Sequence, residues 1–224
     1  MSKVVIIGGG HAGANTAFAL RKDGFDGDIN IFCDESHLPY HRPPLSKDFL
    51  KQKVEEDKLR FKPAEFYDDQ NISVHLNTRV NSIDIESNKV GSDDASFDFD
   101  YLVFATGAAP RLLPMENADA ENLFYLRDIS DVLSLQKLTT SGKKIVLIGG
   151  GYIGLEVASA MIEMGLEVTI LEAEERILKR VTSPELSEFY NDYHSKMGVE
   201  IICGAKVSEL IADSRNINSI VLES

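Results

Sequence analysis

Val4-Val5-Ile6-Ile7-Gly8-Gly9-Gly10-His11-Ala12-Gly13 is the stretch that decides the fold. A β-branched run feeds a G-x-G-x-x-G turn (Gly8, Gly10, Gly13), and a helical stretch of small and apolar residues continues to about Asp23-Gly24. In such a unit the first glycine permits a tight turn and the second lets the backbone approach a pyrophosphate. The third lets the helix pack closely on the strand, and the helix N-terminus offers free N–H groups and a positive dipole end. The same arrangement returns about 140 residues later as Lys144-Ile145-Val146-Leu147-Ile148-Gly149-Gly150-Gly151-Tyr152-Ile153-Gly154. One such loop is weak evidence. Two, each between a strand and a helix, predict an α/β chain of two Rossmann-like dinucleotide-binding domains, residues 1–112 and 113–224.

Acidic residues complete both fingerprints. The strand Ile29-Asn30-Ile31-Phe32-Cys33 runs into Asp34-Glu35, and Glu167-Val168-Thr169-Ile170-Leu171 delivers Glu172. A carboxylate roughly 20 residues past the loop is where a ribose diol is gripped. Glu172 occupies that place in the second unit; in the first, Asp34 and Glu35 both remain open. Because Glu172 would repel a 2′-phosphate, the second unit is expected to take NADH and not NADPH; Arg176, Lys179 and Arg180 stand against that reading.

The bulk properties narrow the class. A chain of 224 residues with 43% apolar and 26% charged residues has an ordinary globular composition. A net charge of −13 argues against general nucleic-acid or membrane-surface binding. No apolar run approaches the roughly 20 residues that cross a bilayer, and no secretory signal precedes the first strand, so a cytoplasmic location is expected. Cys33 and Cys203 read as small core residues, and His37 and His41 have no ligand partners at metal spacing, so no metal site is expected.

Between the glycine units, Pro39 to Lys47 reads as a rigid loop opening a short helix, and Pro63 to Asp69 as a helix. Ser73 to Leu76 and Arg79 to Ile85 read as strands, with Asn71 and Asn77 supplying turns, and Asp98 to Ala105 as one near-continuous strand. Helices are expected at Ser130 to Leu138 and Pro184 to Met197, a strand at Val199 to Ile202, and a hairpin from Val207 to Leu222. The hairpin stops abruptly, which reads as a fragment or a truncated gene product.

Several strings carry a family resemblance: the first glycine loop, Leu38-Pro39-Tyr40-His41-Arg42-Pro43-Pro44-Leu45-Ser46-Lys47, Phe104-Ala105-Thr106-Gly107-Ala108-Ala109-Pro110-Arg111, Tyr125-Leu126-Arg127-Asp128, and Gly149 to Glu156. Over essentially its whole length the chain resembles the FAD- and NADH-dependent ferredoxin reductases that serve bacterial aromatic-ring dioxygenases and cytochromes P450. Rubredoxin reductases and the apoptosis-inducing-factor group share that fold. The resemblance implies a flavin-dependent oxidoreductase that passes electrons from NADH through FAD to a small iron–sulfur carrier of ferredoxin or rubredoxin type. It makes Gly8, Gly10, His11, Ala12, Gly13, Asp34, Glu35, Arg42, Lys47, Val80, Ala105, Thr106, Gly107 and Arg111 the candidate FAD contacts. Gly149, Gly151, Tyr152, Ile153, Gly154, Glu156 and Glu172 are the candidate nicotinamide-side contacts. Lys47 and Glu156 are the candidate catalytic pair, the ammonium stabilising electron density arriving at the flavin and the carboxylate keeping that ammonium charged.

Two departures from the family pattern, a missing second FAD segment and a missing C-terminal domain, and one contrast with the disulfide reductases qualify this picture. The family continues for well over a hundred further residues, with a second FAD segment and a C-terminal domain, so this sequence reads as C-terminally truncated. The paired cysteines of disulfide reductases are also missing after the first acidic strand, where only Pro39 to Lys47 stands, so a disulfide relay is excluded. The locally basic stretch from Arg42 to Lys62 offers a docking patch for an acidic carrier. Two rivals remain: an NADH-dependent reductase of a small acceptor (a quinone, a nitrite-reductase-like partner or monodehydroascorbate), and a non-catalytic truncated dinucleotide-binding module.

Overall fold

Strand β1 (Lys3–Ile7) alternates its side chains between two apolar layers, and this organises the first half of the chain. The computed structural model describes residues 1–93 and 95–223. After β1 come α1 (His11–Lys22), β2 (Asp28–Phe32), α2 (Ala64–Asp69) and β3 (Ile72–His75). Three short antiparallel strands follow, β4 (Ser82–Asp84), β5 (Lys89–Gly91) and β6 (Ser96–Asp98), and then β7 (Tyr101–Phe104). The parallel sheet has the order β3-β2-β1-β7, so β1 has a partner on each side. Val4 and Ile6 pack with Ala17, Ile29, Ile31, Tyr67 and Ile72 on one face. On the other face Val5 and Ile7 pack with Phe32, Val90 and Phe99, and Val90 is the central residue of β5. A parallel sheet covered on both faces explains why β1 reads as a continuous apolar run.

Two strand expectations need correction. Of Arg79 to Ile85 only β4 is extended, because the Asp84 carboxylate accepts the N–H groups of Glu86 and Ser87 at 3.0 Å and turns the chain into β5. Asp98 to Ala105 is two strands in two sheets. The break falls at Phe99-Asp100, where Phe99 N–H donates to Asn88 and Asp100 exchanges hydrogen bonds with the Lys3 backbone at 2.7 and 2.9 Å.

The second unit begins with α3 (Ile129–Leu138), whose first turn is closed by a capping box between Asp128 and Asp131. It continues through β8 (Lys144–Ile148), α4 (Tyr152–Glu163), β9 (Glu167–Glu172), α5 (Pro184–Lys196) and β10 (Glu200–Cys203). The parallel sheet order is β10-β9-β8, followed by the antiparallel hairpin β11 (Val207–Asp213) and β12 (Asn216–Leu222). Ser214 and Arg215 both carry positive φ, as a tight two-residue hairpin turn demands.

Contacts divide the chain into residues 1–42 with 55–109, and residues 43–54 with 110–224. A boundary near 112 assigns the Pro43–Val54 excursion to the first domain; its bonds tie it to the second unit. Gln136 donates to the Phe49 carbonyl at 2.6 Å, Ser46 to Glu156 at 2.6 Å, and Lys51 to Glu163 at 2.8 Å. Leu45, Phe49 and Leu50 are buried. Among the described residues no helix is long and apolar enough to cross a membrane.

Candidate functional site

The two glycine loops superimpose by their bonding. Gly8 and Gly149 share a φ of +111°, and their N–H groups donate at 2.8 Å to Phe32 and Leu171 respectively. A Cβ on Gly13 would lie 1.9 Å from the Gly8 carbonyl oxygen, and one on Gly154 2.2 Å from that of Gly149. Here only glycine fits. Gly10 and Gly151 cap α1 and α4 without a side-chain bond, and nothing lies within 4 Å of a Cβ placed on either. His11 and Ala12, and equally Tyr152 and Ile153, lie exposed on the first turns that follow. The His11 ring sits edge-on to Phe61 at 4.8 Å and to His41 at 5.6 Å. Burial, then the charges of His41 and Arg42, lower its pKa.

The same bonds make Cys33 the counterpart of Glu172, since each follows the residue that receives the loop glycine. The Glu172 carboxylate accepts Gly150 N–H at 2.6 Å and Glu174 N–H at 2.9 Å, latching the loop to the strand end. Cys33 is buried, its sulfur 2.1 Å from where a Cβ on Gly9 would fall, and its thiol is pushed up to about 12 by burial and then by Glu35 and Asp34. Both cysteines are free thiols. Past Cys33, Glu35 accepts Tyr40 O–H at 2.5 Å and forms an ion pair with Arg42, whose guanidinium lies 5.1 Å from the centre of the Tyr40 ring. Asp34 is exposed and pairs with the exposed Arg79 at 3.4 Å. Val80 packs on the Val5–Phe32–Val90 layer. Ala105 N–H donates to Ile7, its carbonyl crowds Gly8, and Thr106 and Gly107 are exposed beyond it. Arg111 is exposed on the second unit.

Lys47 and Glu156 meet in the second unit with Nζ 2.7 Å from Oε2. Ser46, which sequence reasoning passed over, donates to the same oxygen at 2.6 Å and is itself buried. Its only sequence signal was its place beside Lys47. Burial opposes ionisation of Glu156, but the Lys47 and Ser46 hydrogen bonds and the Lys47 charge outweigh it and hold the carboxyl below its ordinary value. The basic stretch is largely neutralised: Lys51 pairs with Asp48 and Glu163, Lys53 with Glu163, Lys58 with Asp57, and Arg42 with Glu35. Lys62 lies over the Phe66 ring. As a bare positive patch for an acidic carrier, this stretch loses most of its charge.

After Glu172, Arg176 and Lys179 are also engaged, whereas Arg180 is exposed. Arg176 donates to the Lys179 and Thr182 carbonyls at 3.1 Å and to Ser187 Oγ at 2.5 Å, while Lys179 is held by Glu174 at 2.9 Å and Glu175 at 3.1 Å.

Two parallel sheets, each with a strand–glycine-loop–helix unit, define a dinucleotide-binding α/β protein of Rossmann type. The family model described as pyridine nucleotide-disulphide oxidoreductase matches residues 2–224, and the chain belongs to that family. Among curated relatives, the rubredoxin–NAD(+) reductase of Pseudomonas putida is 38% identical over 222 residues, spanning 99% of this chain and 58% of the relative. Putidaredoxin reductase CamA of the same organism is 38% identical over 226 residues, 98% of this chain and 54% of its own. The solved covalent putidaredoxin reductase–putidaredoxin complex matches with a TM-score of 0.96 and 36% identity, over 99% of this chain and 55% of that one. The chain therefore spans about half the length of the relatives it matches.

Proposed function

We propose that the chain supplies the FAD- and NADH-binding units of a reductase that delivers electrons from NADH to a small iron–sulfur protein in the cytoplasm, where NADH is generated. The carrying observation is the Lys47–Glu156–Ser46 cluster, held in the same unit as the second glycine loop. The names of the relatives, rubredoxin and putidaredoxin reductases, support the class of acceptor. The open space beside Gly10, Gly149 and Gly151 suits a pyrophosphate on each loop. When bound, FAD supplies hydride acceptance and single-electron release. The residues supply placement and charge: Glu156 holds the Lys47 ammonium at 2.7 Å, and Ser46 in turn holds Glu156.

Asp34 is the better ribose ligand of the first unit, because Tyr40 and Arg42 occupy Glu35. In the second unit Glu172 receives the NADH ribose. Arg176 and Lys179 no longer argue for NADPH, since one is spent on its own loop and the other on two glutamates. Isothermal titration of the chain tests this: NADH is expected to bind at least about tenfold more tightly than NADPH. Equal or tighter NADPH binding overturns the cofactor assignment. Electron delivery is tested by adding FAD, NADH and a rubredoxin to the chain. NADH-dependent bleaching of the flavin, followed by reduction of the rubredoxin, is expected, and an unbleached flavin sinks the proposal.

A further inference from the structure

Helix α4 carries two carboxylates seven residues apart, Glu156 and Glu163. Seven residues are close to two helical turns, so both stand on one side of the helix, about 10 Å apart along its axis. The Pro43–Val54 excursion meets both. Glu156 takes Lys47 at 2.7 Å and Ser46 at 2.6 Å. Glu163 takes Lys51 at 2.8 Å and also Lys53.

The two lysines on Glu163 reach it from either side of a chain reversal. Gln52, between them, has a φ of +57°, in the left-handed region that non-glycine residues seldom enter. Gln52 N–H donates to the Phe49 carbonyl and Lys53 N–H to that of Asp48, closing the reversal as a helix end is closed. The Lys51 side chain is only 16% exposed and is shared between Glu163 and Asp48. Hydrogen bonds from Lys51, then Lys53, bring the Glu163 carboxyl down to about 2, and those from Lys51 to Glu163, then Asp48, raise the Lys51 ammonium. A lone exposed ion pair does little. Here two ammonium groups and a left-handed glutamine converge on one carboxylate.

This contact bears on Lys47 through the backbone. Lys51 N–H donates to the Lys47 carbonyl at 3.1 Å, and Lys47 N–H to the Pro44 carbonyl at 3.0 Å. The Lys47 side chain is a flexible four-carbon stem, half exposed, so the backbone beneath it decides where its ammonium can lie. Beyond Glu156 that ammonium meets the Pro43 carbonyl at 3.3 Å, within the same turn. A charge displaced by 1 Å can cost far more rate than stability.

We propose that Glu163 is a positioning residue for Lys47: by clamping Lys51 and Lys53 it sets the excursion in register with α4, so that Lys47 meets Glu156. Its part in reduction rests on the proposed function, whereas the clamp itself does not.

The test reads the Lys47–Glu156 coupling in the chain without flavin or nucleotide, so it can fail while the reductase reading stands. NMR of the chain labelled with ¹³C-glutamate follows the Glu156 carboxyl through its titration. In the parent chain Lys47→Ala should raise the Glu156 pKa, because the Lys47 bond and charge help to hold it down. In a Glu163→Gln background the same Lys47→Ala change should produce at most about half that rise, and in Lys51→Met the rise should also shrink. Glu167→Gln removes an exposed carboxylate paired with Lys144 and should leave the rise intact. Circular dichroism checks that each variant is folded. An undiminished rise in folded Glu163→Gln or Lys51→Met, or an equal loss in Glu167→Gln, overturns the proposal.

Discussion

The two glycine loops share a backbone and differ in what lies beneath it. In the first, the residue at the strand end is Cys33, a buried thiol packed under Gly9. In the second it is Glu172, a carboxylate that holds Gly150 and Glu174 by their N–H groups. The strands differ too. β1 lies between two neighbours and is buried almost throughout, whereas β8 is an edge strand with Val146 and Ile148 42% and 43% exposed. The turn geometry therefore belongs to the glycines, and the anchoring beneath it is free to be apolar or ionic.

The largest effect expected from this comparison separates two kinds of glycine. Gly13→Ala and Gly154→Ala force a methyl onto a carbonyl oxygen and should cost roughly 2–4 kcal/mol or prevent folding. Gly10→Ala and Gly151→Ala meet open space at ordinary φ and should stay within about 1 kcal/mol while impairing dinucleotide binding. Urea denaturation with nucleotide titration measures both, and a harmless Gly13→Ala would break the equivalence of the loops.

A smaller effect is expected at the anchors. Glu172→Gln should lose about 1–2 kcal/mol of stability and at least tenfold in NADH affinity, since a charged acceptor is removed from two N–H groups and from the ribose. Cys33→Ala should cost about 1 kcal/mol through a small cavity and leave NADH binding unchanged. Equal NADH affinity in the parent chain and Glu172→Gln removes the carboxylate from the site. The thiols sharpen the same contrast. At pH 8, Cys33 should react with a disulfide reagent about tenfold more slowly than the half-buried Cys203, as followed by mass spectrometry, because burial holds its thiolate population down.

The smallest effect belongs to Glu156. Its folded carboxyl lies below its ordinary value, so its contribution to stability is present above the unfolded pKa and fades as pH falls through the folded one. The stability difference between the parent chain and Glu156→Gln should be at most about 1 kcal/mol near neutrality, since the pair is partly exposed. It should shrink between about pH 5 and pH 3. A difference that grows on acidification contradicts the ion pair.

The glycine loops, both strand–helix–strand units and the Lys47–Glu156 pair were legible in the sequence because steric exclusion or motif context dictates those residues. The match between Cys33 and Glu172 was not, since it depends on which carbonyl receives each loop glycine. The small sheet β4-β5-β6 was missed in part because its strands are three residues long and largely polar. Nothing local in Lys51 or Lys53 announces Glu163, more than a hundred residues away. Ser46 is likewise partnered by tertiary packing alone.

The excursion from Pro43 to Val54 has a consequence for anyone dissecting the gene. A single cut near residue 110 does not yield two self-sufficient products. The upstream piece would carry Leu45, Phe49 and Leu50 stripped of their packing partners, and the downstream piece would lack the backbone carbonyl that receives Gln136. A clean excision needs the first unit closed by a short linker from Arg42 to Glu55, and the twelve deleted residues supplied to the second unit as a graft or a separate peptide.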